Sequence, residues 1–346
     1  MIEIFKKKIQ ESFNVSIKNY EQNYKSYHWK YQIGKKKNLF DTYNLKNFRS
    51  NNLSNGLDDQ FYSKNETNFL FSTLVKEFGE EFISQMLDNL NIGNVNDCYK
   101  FKDKYYSSNE LFHIFHLARI KKQFDFSNLN IVCEIGPGYG SFISKLLKLC
   151  NTKVILIDLP ESNFLSSYYL KSLFPNKKFF LSNDIKDKIT KENIYENDII
   201  IICPWDKLPE IKIDFFINSR SMMEMNKETI SYYFQFIKKF LSKNGYFLCI
   251  NRYYKDTVGY PIELYNYPFD NSWKVIISEE SWYQNHIHFL FLRRINDNSG
   301  DMLQEIKKIK KITKRKIKND PRLIRRVIPD FLYKTYKKIK FLILKK

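Results

Sequence analysis

Ten residues, Cys133-Glu134-Ile135-Gly136-Pro137-Gly138-Tyr139-Gly140-Ser141-Phe142, constrain this 346-residue chain more than any other stretch. Ile131 and Val132 ahead of them read as the end of a buried strand, and residues 142–149 behind them read as the start of a helix. In a strand–turn–helix setting, glycines let the backbone reverse sharply and approach a ligand with no Cβ in the way. The free N–H groups of the following helix then face a polar or anionic group. The spacing is G-x-G-x-G, whereas in the dinucleotide fingerprint G-x-G-x-x-G the third glycine would fall on Ser141. A triphosphate-binding G-x-x-x-x-G-K-[ST] is absent.

Two acids frame the turn. Glu134 stands at a buried strand end, suited to bind an ammonium or to order the loop. Asp158 closes the second strand, Val154-Ile155-Leu156-Ile157-Asp158, 22 residues after Gly136. A carboxylate there can accept both hydroxyls of a ribose, or it can cap the helix that follows. Apolar strands are expected at 130–135, 153–158, 178–182, 198–203, 213–218, 245–251, 274–278 and 286–293, with helices at 141–150, 161–173 and 227–242. That alternation predicts an α/β fold with a doubly wound parallel sheet, which binds ligands at the carboxyl ends of its strands near the switch in strand order.

Outside this region the pattern is helical. Residues 1–125 are expected to form a helical N-terminal cap or substrate region, 126–298 the sheet domain, and 299–346 a basic amphipathic tail. In the first part, Phe13, Ile17, Tyr20, Tyr24 and Tyr27 recur at helical steps, and Leu70, Leu74, Val75, Phe78, Phe82, Met86 and Leu90 share one helical face that Gly93 is placed to end. Ser107 and Glu110 have capping-box spacing and open another helix. In the tail, Met302, Ile306, Ile309, Ile312 and Ile317 form an apolar stripe among lysines, and a second stripe follows Pro321. Of the formal net charge of +19, +13 falls in 301–346, which holds 17 Lys or Arg and 4 Asp or Glu. Such a tail can be a helical extension that packs on the body or frays in solvent, or it can attach to an anionic membrane face or an acidic partner. No nucleic-acid module is visible, so specific nucleic-acid binding is not expected.

The five cysteines form no CxxC pair and read as buried small residues of a reducing compartment. The order of charges at the start is not that of a signal peptide, and no run approaches the ~18 apolar residues of a membrane span. A cytoplasmic protein is the expectation, with peripheral attachment at the inner face of the membrane as the alternative that the basic tail leaves open.

Glu134-Ile135-Gly136-Pro137-Gly138-Tyr139-Gly140, followed by Asp158, resembles motif I and the acidic post-motif of class I S-adenosylmethionine-dependent methyltransferases. More narrowly, the chain resembles the sugar O-methyltransferases of bacterial surface-polysaccharide gene clusters. That likeness rests on Asn47-Phe48-Arg49, Leu53-Ser54-Asn55-Gly56-Leu57-Asp58-Asp59, Cys203-Pro204-Trp205 and Asn218-Ser219-Arg220-Ser221-Met222-Met223-Glu224-Met225, and it leaves the tail outside. The resemblance implies a Rossmann-like methyltransferase sheet, S-adenosyl-L-methionine as cofactor, and methyl transfer to a sugar hydroxyl of a surface glycan or its precursor. Glu134, Gly136, Pro137, Gly138, Tyr139 and Gly140 would hold the methionine part. Asp158 would hold the ribose and the turn after Ile202, with Pro204, the adenine; Trp205 would stack on adenine or serve as a core aromatic, and Leu159 and Asn218 are further cofactor-binding candidates. Two strand ends, near Asp184 and Cys203, compete for the adenine position.

A hydroxyl nucleophile needs a base, and Glu224 and His286 are the candidates. His286 and His288 lie two apart on one strand, and His288 reads as a satisfied core or surface histidine. Arg49, Asp58, Asp59 and Trp29, with Tyr27 and His28, could line a carbohydrate site. His113 and His116 have a spacing that metals use, but no third ligand is in view and no metal is expected. Two other functions compete. One is a NAD-dependent oxidoreductase, disfavoured by the glycine spacing and by Glu134. The other is a non-catalytic adaptor that keeps the fold and docks at membranes or polysaccharide-assembly enzymes through 301–346.

Overall fold

The computed structural model describes residues 2–19, 40–50, 62–96, 98–256, 259–295, 297 and 299–319. In the first part of the chain these form α1 (Ile2–Lys18), α2 (Lys64–Phe78), α3 (Glu80–Met86), a hairpin of β1 (Tyr99–Phe101) and β2 (Lys104–Tyr106), and α4 (Ser108–Lys121). Next come β3 (Ile131–Ile135), α5 (Ser141–Leu149), β4 (Lys153–Ile157), α6 (Pro160–Leu173), β5 (Phe179–Leu181), α7 (Lys191–Glu196) and β6 (Ile199–Ile202). They are followed by β7 (Ile213–Ser219), α8 (Lys227–Phe240), β8 (Leu241–Arg252), a ribbon of β9 (Tyr254–Lys255) and β10 (Ile262–Glu263), β11 (Trp273–Ser281), β12 (Gln284–Arg294) and α9 (Met302–Asn319).

Eight strands make one sheet in the order β11-β12-β8-β7-β3-β4-β6-β5. From β8 to β5 every pairing is parallel, while β12 runs antiparallel to both β8 and β11. This is the Rossmann-like, doubly wound α/β sheet that the strand–helix alternation predicts. The chain enters at β3, winds outward through β4 and β5, then crosses to β7, so the switch in strand order lies between β3 and β7. Parallel strands covered on both faces are apolar without interruption, as Ile199–Ile202 illustrates with four buried isoleucines. The two-residue period sorts alternate side chains into two layers. Val132, Leu156, Ile201 and Phe215 meet α1, α2, α4, α5 and α6 on one face, and Cys133, Ile155, Ile200 and Phe216 meet α7, α8 and α9 on the other.

The N-terminal helices therefore share a core with the sheet. The capping box at Ser107 and Glu110 forms, and α4 is buried along almost its whole length. Three sequence expectations are corrected here. The stripe in α1 is Phe5, Ile9, Phe13 and Ser16, not the Phe13–Ile17 register; Ile17 is exposed, and Tyr20, Tyr24 and Tyr27 lie outside the described residues. The single long helix expected through Leu90 is broken at Gly79, whose φ of +88° ends α2 and begins α3, and Leu90 is exposed. The β1–β2 hairpin was not signalled, because its turn is made at Lys102 with φ of +55° instead of at a glycine. A Cβ at Gly79 would meet nothing within 4 Å, so Gly79→Ala isolates backbone strain. It is expected to cost about 1–3 kcal/mol in urea unfolding, with no change in ligand binding.

The first half of the tail packs as its stripe implies: Met302, Ile309 and Thr313 are buried, with Ile306 and Ile312 beside them. The second stripe lies outside the described residues. No described helix is long and apolar enough to cross a membrane.

Candidate active site

A cleft opens at the carboxyl ends of β3, β4, β7 and β8. Its floor is the glycine turn. Gly136, Gly138 and Gly140 all have left-handed φ, of +71°, +60° and +89°. A Cβ on Gly136 would run into the Ser221 side chain, so glycine is required for space as well as for backbone angle. The turn is closed by Gly136 N–H donating to Ile157 O (2.9 Å) and Gly140 N–H donating to Pro137 O (2.9 Å). Gly140 then caps α5 without offering a side-chain acceptor.

Asp158 stands at the edge of this turn. Its carboxylate accepts from Gly138 N–H (3.0 Å) and Leu159 N–H (2.7 Å), and it is partly open to the cleft. Burial pushes its carboxyl up to about 7, against the lowering effect of those N–H groups. Glu134 is 1 % exposed, lines the cleft, and its Oε2 has no hydrogen-bond partner among the described residues. Burial, and then the charge of Asp158, push Glu134 up to about 8, partly offset by the Ile143 N–H. A buried carboxyl oxygen without a donor is costly, and a cationic or N–H-bearing ligand would relieve that cost.

The remaining sequence-predicted residues divide. Pro137, Tyr139, Leu159, Pro204 and Glu224 line the cleft. Asn218 lies beneath it, fully buried: its Nδ2 donates to Ile135 O (2.8 Å) and to Ser221 Oγ, and its Oδ1 accepts from Asn251, so it braces the ends of β3, β7 and β8. Trp205 is partly buried and does not line the cleft. Between the two rival strand ends, β6 adjoins β4 and brings Pro204 beside Asp158. Asp184, by contrast, follows the edge strand β5 and is taken up by Leu181 N–H and Lys8. Arg49 is buried away from the cleft, paired with Glu110 (3.5 Å) and lying over the Tyr139 ring. His286 is exposed and off the cleft, while His288 is buried between Ser278 and Tyr253. The shared face expected for the two histidines does not make them alike. Trp29, Asp58 and Asp59 lie outside the described residues.

The structure adds residues that sequence reasoning did not assign to this site. Helix α4 lays Asn109 and His113 across the cleft, and Arg220, Arg252 and Lys255 come from the ends of β7, β8 and β9. Arg220 donates to Asn109 Oδ1 and to His113 Nε2 (3.2 Å). His113 Nε2 is then an acceptor, and its Nδ1–H donates to Ser141 Oγ (3.0 Å). Burial and the Arg220 cation hold His113 well below the usual imidazole range, so it is neutral. His116 turns to Ser281 instead, so the two histidines do not converge on a metal. Glu224 is ion-paired with Lys255, both largely buried.

In an α/β sheet of this order, a crevice at the carboxyl ends of the strands beside the switch in strand order is where ligands bind, and the glycine turn and the acid after β4 both lie there. No family model matches the chain, and no curated protein matches it. Among solved structures it is similar to the mitomycin 7-O-methyltransferase MmcR, with 13% identity over 54% of this chain and 57% of that one, and a TM-score of 0.37. The chain thus spans little more than half the length of that enzyme. It is also similar to the pyocyanin biosynthetic protein PhzM (12% identity, 66% of each chain, TM-score 0.36). A SAM-dependent methyltransferase from Aquifex aeolicus gives 14% identity, 51% of this chain, 88% of that one and a TM-score of 0.33. At these identities and TM-scores the likenesses carry no argument about this chain.

Proposed function

We propose that this protein is an S-adenosylmethionine-dependent O-methyltransferase acting on a sugar hydroxyl of a surface glycan or its precursor. The observation that carries the cofactor is the buried, unpartnered Glu134 Oε2 in the same cleft as the three left-handed glycines and Asp158. That combination suits a ligand with an ammonium at one end and a ribose at the other. Glu134 opposes a nicotinamide dinucleotide, whose pyrophosphate would lie against it at the turn, whereas Asp158 suits the ribose of either cofactor. When bound, S-adenosylmethionine supplies an electrophilic methyl group. Glu134 would hold the ammonium, Gly136, Gly138 and Gly140 would let the backbone approach, and Asp158 would accept from the ribose.

On the acceptor side, Glu224 is the carboxylate on the cleft wall placed to take a proton from a hydroxyl, with Lys255 fixing its orientation. The sugar reading is supported by the family-like strings around Arg49, Pro204 and Asn218. The experiment is transfer of labelled methyl from S-adenosylmethionine to a panel of hexoses, nucleotide sugars and glycan fragments. Glu224→Gln is expected to lower kcat about 100-fold or more with unchanged cofactor affinity. Transfer to none of the sugars by a cofactor-binding sample would remove the sugar reading, and an unchanged kcat would remove Glu224 as base.

The proposal extends to peripheral association with the inner face of a membrane. The outward face of α9 exposes Lys307, Lys308, Lys311, Lys314, Arg315 and Lys318, and 320–346 adds further Lys and Arg. Each basic residue near an anionic bilayer contributes about 1 kcal/mol. Co-sedimentation with phosphatidylglycerol vesicles is expected at low salt and not with phosphatidylcholine. The triple variant Lys307→Glu, Lys311→Glu, Lys314→Glu should reduce it while leaving catalysis on a soluble acceptor intact. Equal sedimentation of variant and wild type would contradict membrane docking by this face.

A further inference from the structure

Helix α9 presents lysines to solvent, but Glu305 and Lys316 are half-buried on its inner side with Met302, Ile309 and Thr313. Both act on one residue, Tyr253. It is the single residue between β8 and β9 and is 2 % exposed. Its neighbours Arg252 and Lys255 both line the cleft.

Glu305 reaches the Tyr253 hydroxyl through a chain of three hydrogen bonds. Ser278 Oγ donates to Glu305 Oε1 (2.7 Å). A hydroxyl has one proton to give, so Ser278 Oγ accepts at its other contact, from His288 Nε2–H (2.9 Å). His288 Nδ1 is then the acceptor of a neutral ring and takes the Tyr253 hydroxyl (2.8 Å). Burial holds His288 down at about 4 and pushes the Tyr253 hydroxyl up, so the ring is neutral and the phenol a donor at pH 7. The chain therefore runs in one direction, from Tyr253 to Glu305, and uses both ring nitrogens and both hydroxyls. Lys316 makes a second tie. Its ammonium lies over the Tyr253 ring (5.0 Å to the centroid) and donates to Glu280 and to Asn285 O. The Tyr253 backbone is held too: its N–H donates to His286 O (3.0 Å) and its carbonyl accepts from Leu264 N–H (3.2 Å). Two residues further on, Lys255 pairs with Glu224. A shift of the β8–β9 corner would thus move the cation that orients the Glu224 carboxylate.

We propose that Glu305 and Lys316 of α9 are positioning residues for the acceptor half of the cleft: by holding Tyr253 they set Lys255, and through it Glu224. The inference rests on the reading of Glu224 as base. A buried hydrogen-bond chain transmits position because each member is costly to leave unpaired. Helix α9 then has two tasks on two faces, with the basic face turned outward and the Tyr253 clamp turned inward.

Hydrogen exchange of the full chain tests the coupling without an acceptor. The double variant Glu305→Ala, Lys316→Met cuts both ties. It is expected to speed exchange at the Tyr253, Leu264 and Glu224 amides about tenfold, leaving the amides of β3, β4 and β6 unchanged. Tyr253→Phe, which keeps the ring and guards against misfolding of the double variant, should show the same local pattern. Ser278→Thr keeps the hydroxyl and should hold the wild-type rates. On any acceptor that the sugar panel yields, the double variant should lower kcat about tenfold, with acceptor KM and S-adenosylhomocysteine affinity within about twofold. Unchanged exchange at the corner, acceleration spread evenly over the sheet, or a loss confined to cofactor affinity would overturn the proposal. Unchanged kcat in Glu224→Gln would instead overturn the base reading, while exchange still decides whether α9 holds the corner, so the two failures are distinguishable.

Discussion

Asp158→Asn is expected to weaken S-adenosylhomocysteine binding about 100-fold and, in the same protein, to flatten the loss of ligand-free stability at rising pH. The first effect follows from removing a charged acceptor for two ribose hydroxyls, each such bond being worth about 1.5–3 kcal/mol. The second follows from linkage. The Asp158 and Glu134 carboxyls are raised to about 7 and about 8 in the folded protein, above unfolded values near 4. A raised group contributes stability that is fully present below its unfolded pKa and is lost as pH rises through the folded value. The ligand-free fold should therefore weaken between about pH 4 and pH 8, since the buried Glu134 and the half-buried Asp158 must ionise side by side. Asparagine cannot ionise, and removing the Asp158 charge also eases Glu134. Thermal melts of wild type and variant across that range measure the effect. Parallel profiles would show that the two acids are not strained by burial, and full cofactor affinity would remove Asp158 from the ribose.

Asp88→Asn is expected to destabilise the whole protein by about 3–5 kcal/mol, the cost of leaving buried cations without their carboxylate. Asp88 is 2 % exposed and lies between Lys145 (2.7 Å), itself fully buried, and Lys148 (2.6 Å); it also accepts from the Tyr169 hydroxyl (2.7 Å). Lys145 and Lys148 belong to α5 and Tyr169 to α6, while Asp88 belongs to the loop after α3 and pairs with Tyr105. The cluster thus clamps the N-terminal region to the helix that follows the glycine turn. Burial works to raise the Asp88 carboxyl, but the two ammonium groups outweigh it and hold it well below the usual carboxylate range. Its contribution is present above about pH 4 and is lost as pH falls further. Urea unfolding at pH 7 and pH 3 checks both points. A loss under about 1 kcal/mol at pH 7, or a loss that does not shrink at pH 3, would contradict the account.

The sheet was legible because buried parallel strands are unbroken apolar runs, and the glycine turn because its residues are consecutive. The N-terminal region was less so. Gly79 breaks a helix whose apolar stripe continues across it, and α1 uses a stripe, Phe5 to Ser16, that lies before the aromatic series that catches the eye. The cofactor side of the cleft could be read from local spacing, whereas Asn109, His113, Arg252 and Lys255 reach it only through tertiary placement. Arg220 had a usable signal, since it follows a strand end within Asn218-Ser219-Arg220-Ser221. Arg49 shows the converse: a buried arginine in a distinctive string that pairs with Glu110 and lies over the Tyr139 ring without itself lining the cleft.

The central claim is that the cleft around Gly136 binds S-adenosylmethionine. Isothermal titration of the full chain with S-adenosylhomocysteine, and separately with NAD, tests it most directly. The account predicts one site of micromolar affinity for S-adenosylhomocysteine, lost in Asp158→Asn, and no heat with NAD. A folded sample that gives no heat with S-adenosylhomocysteine, or that binds NAD in its place, would contradict it.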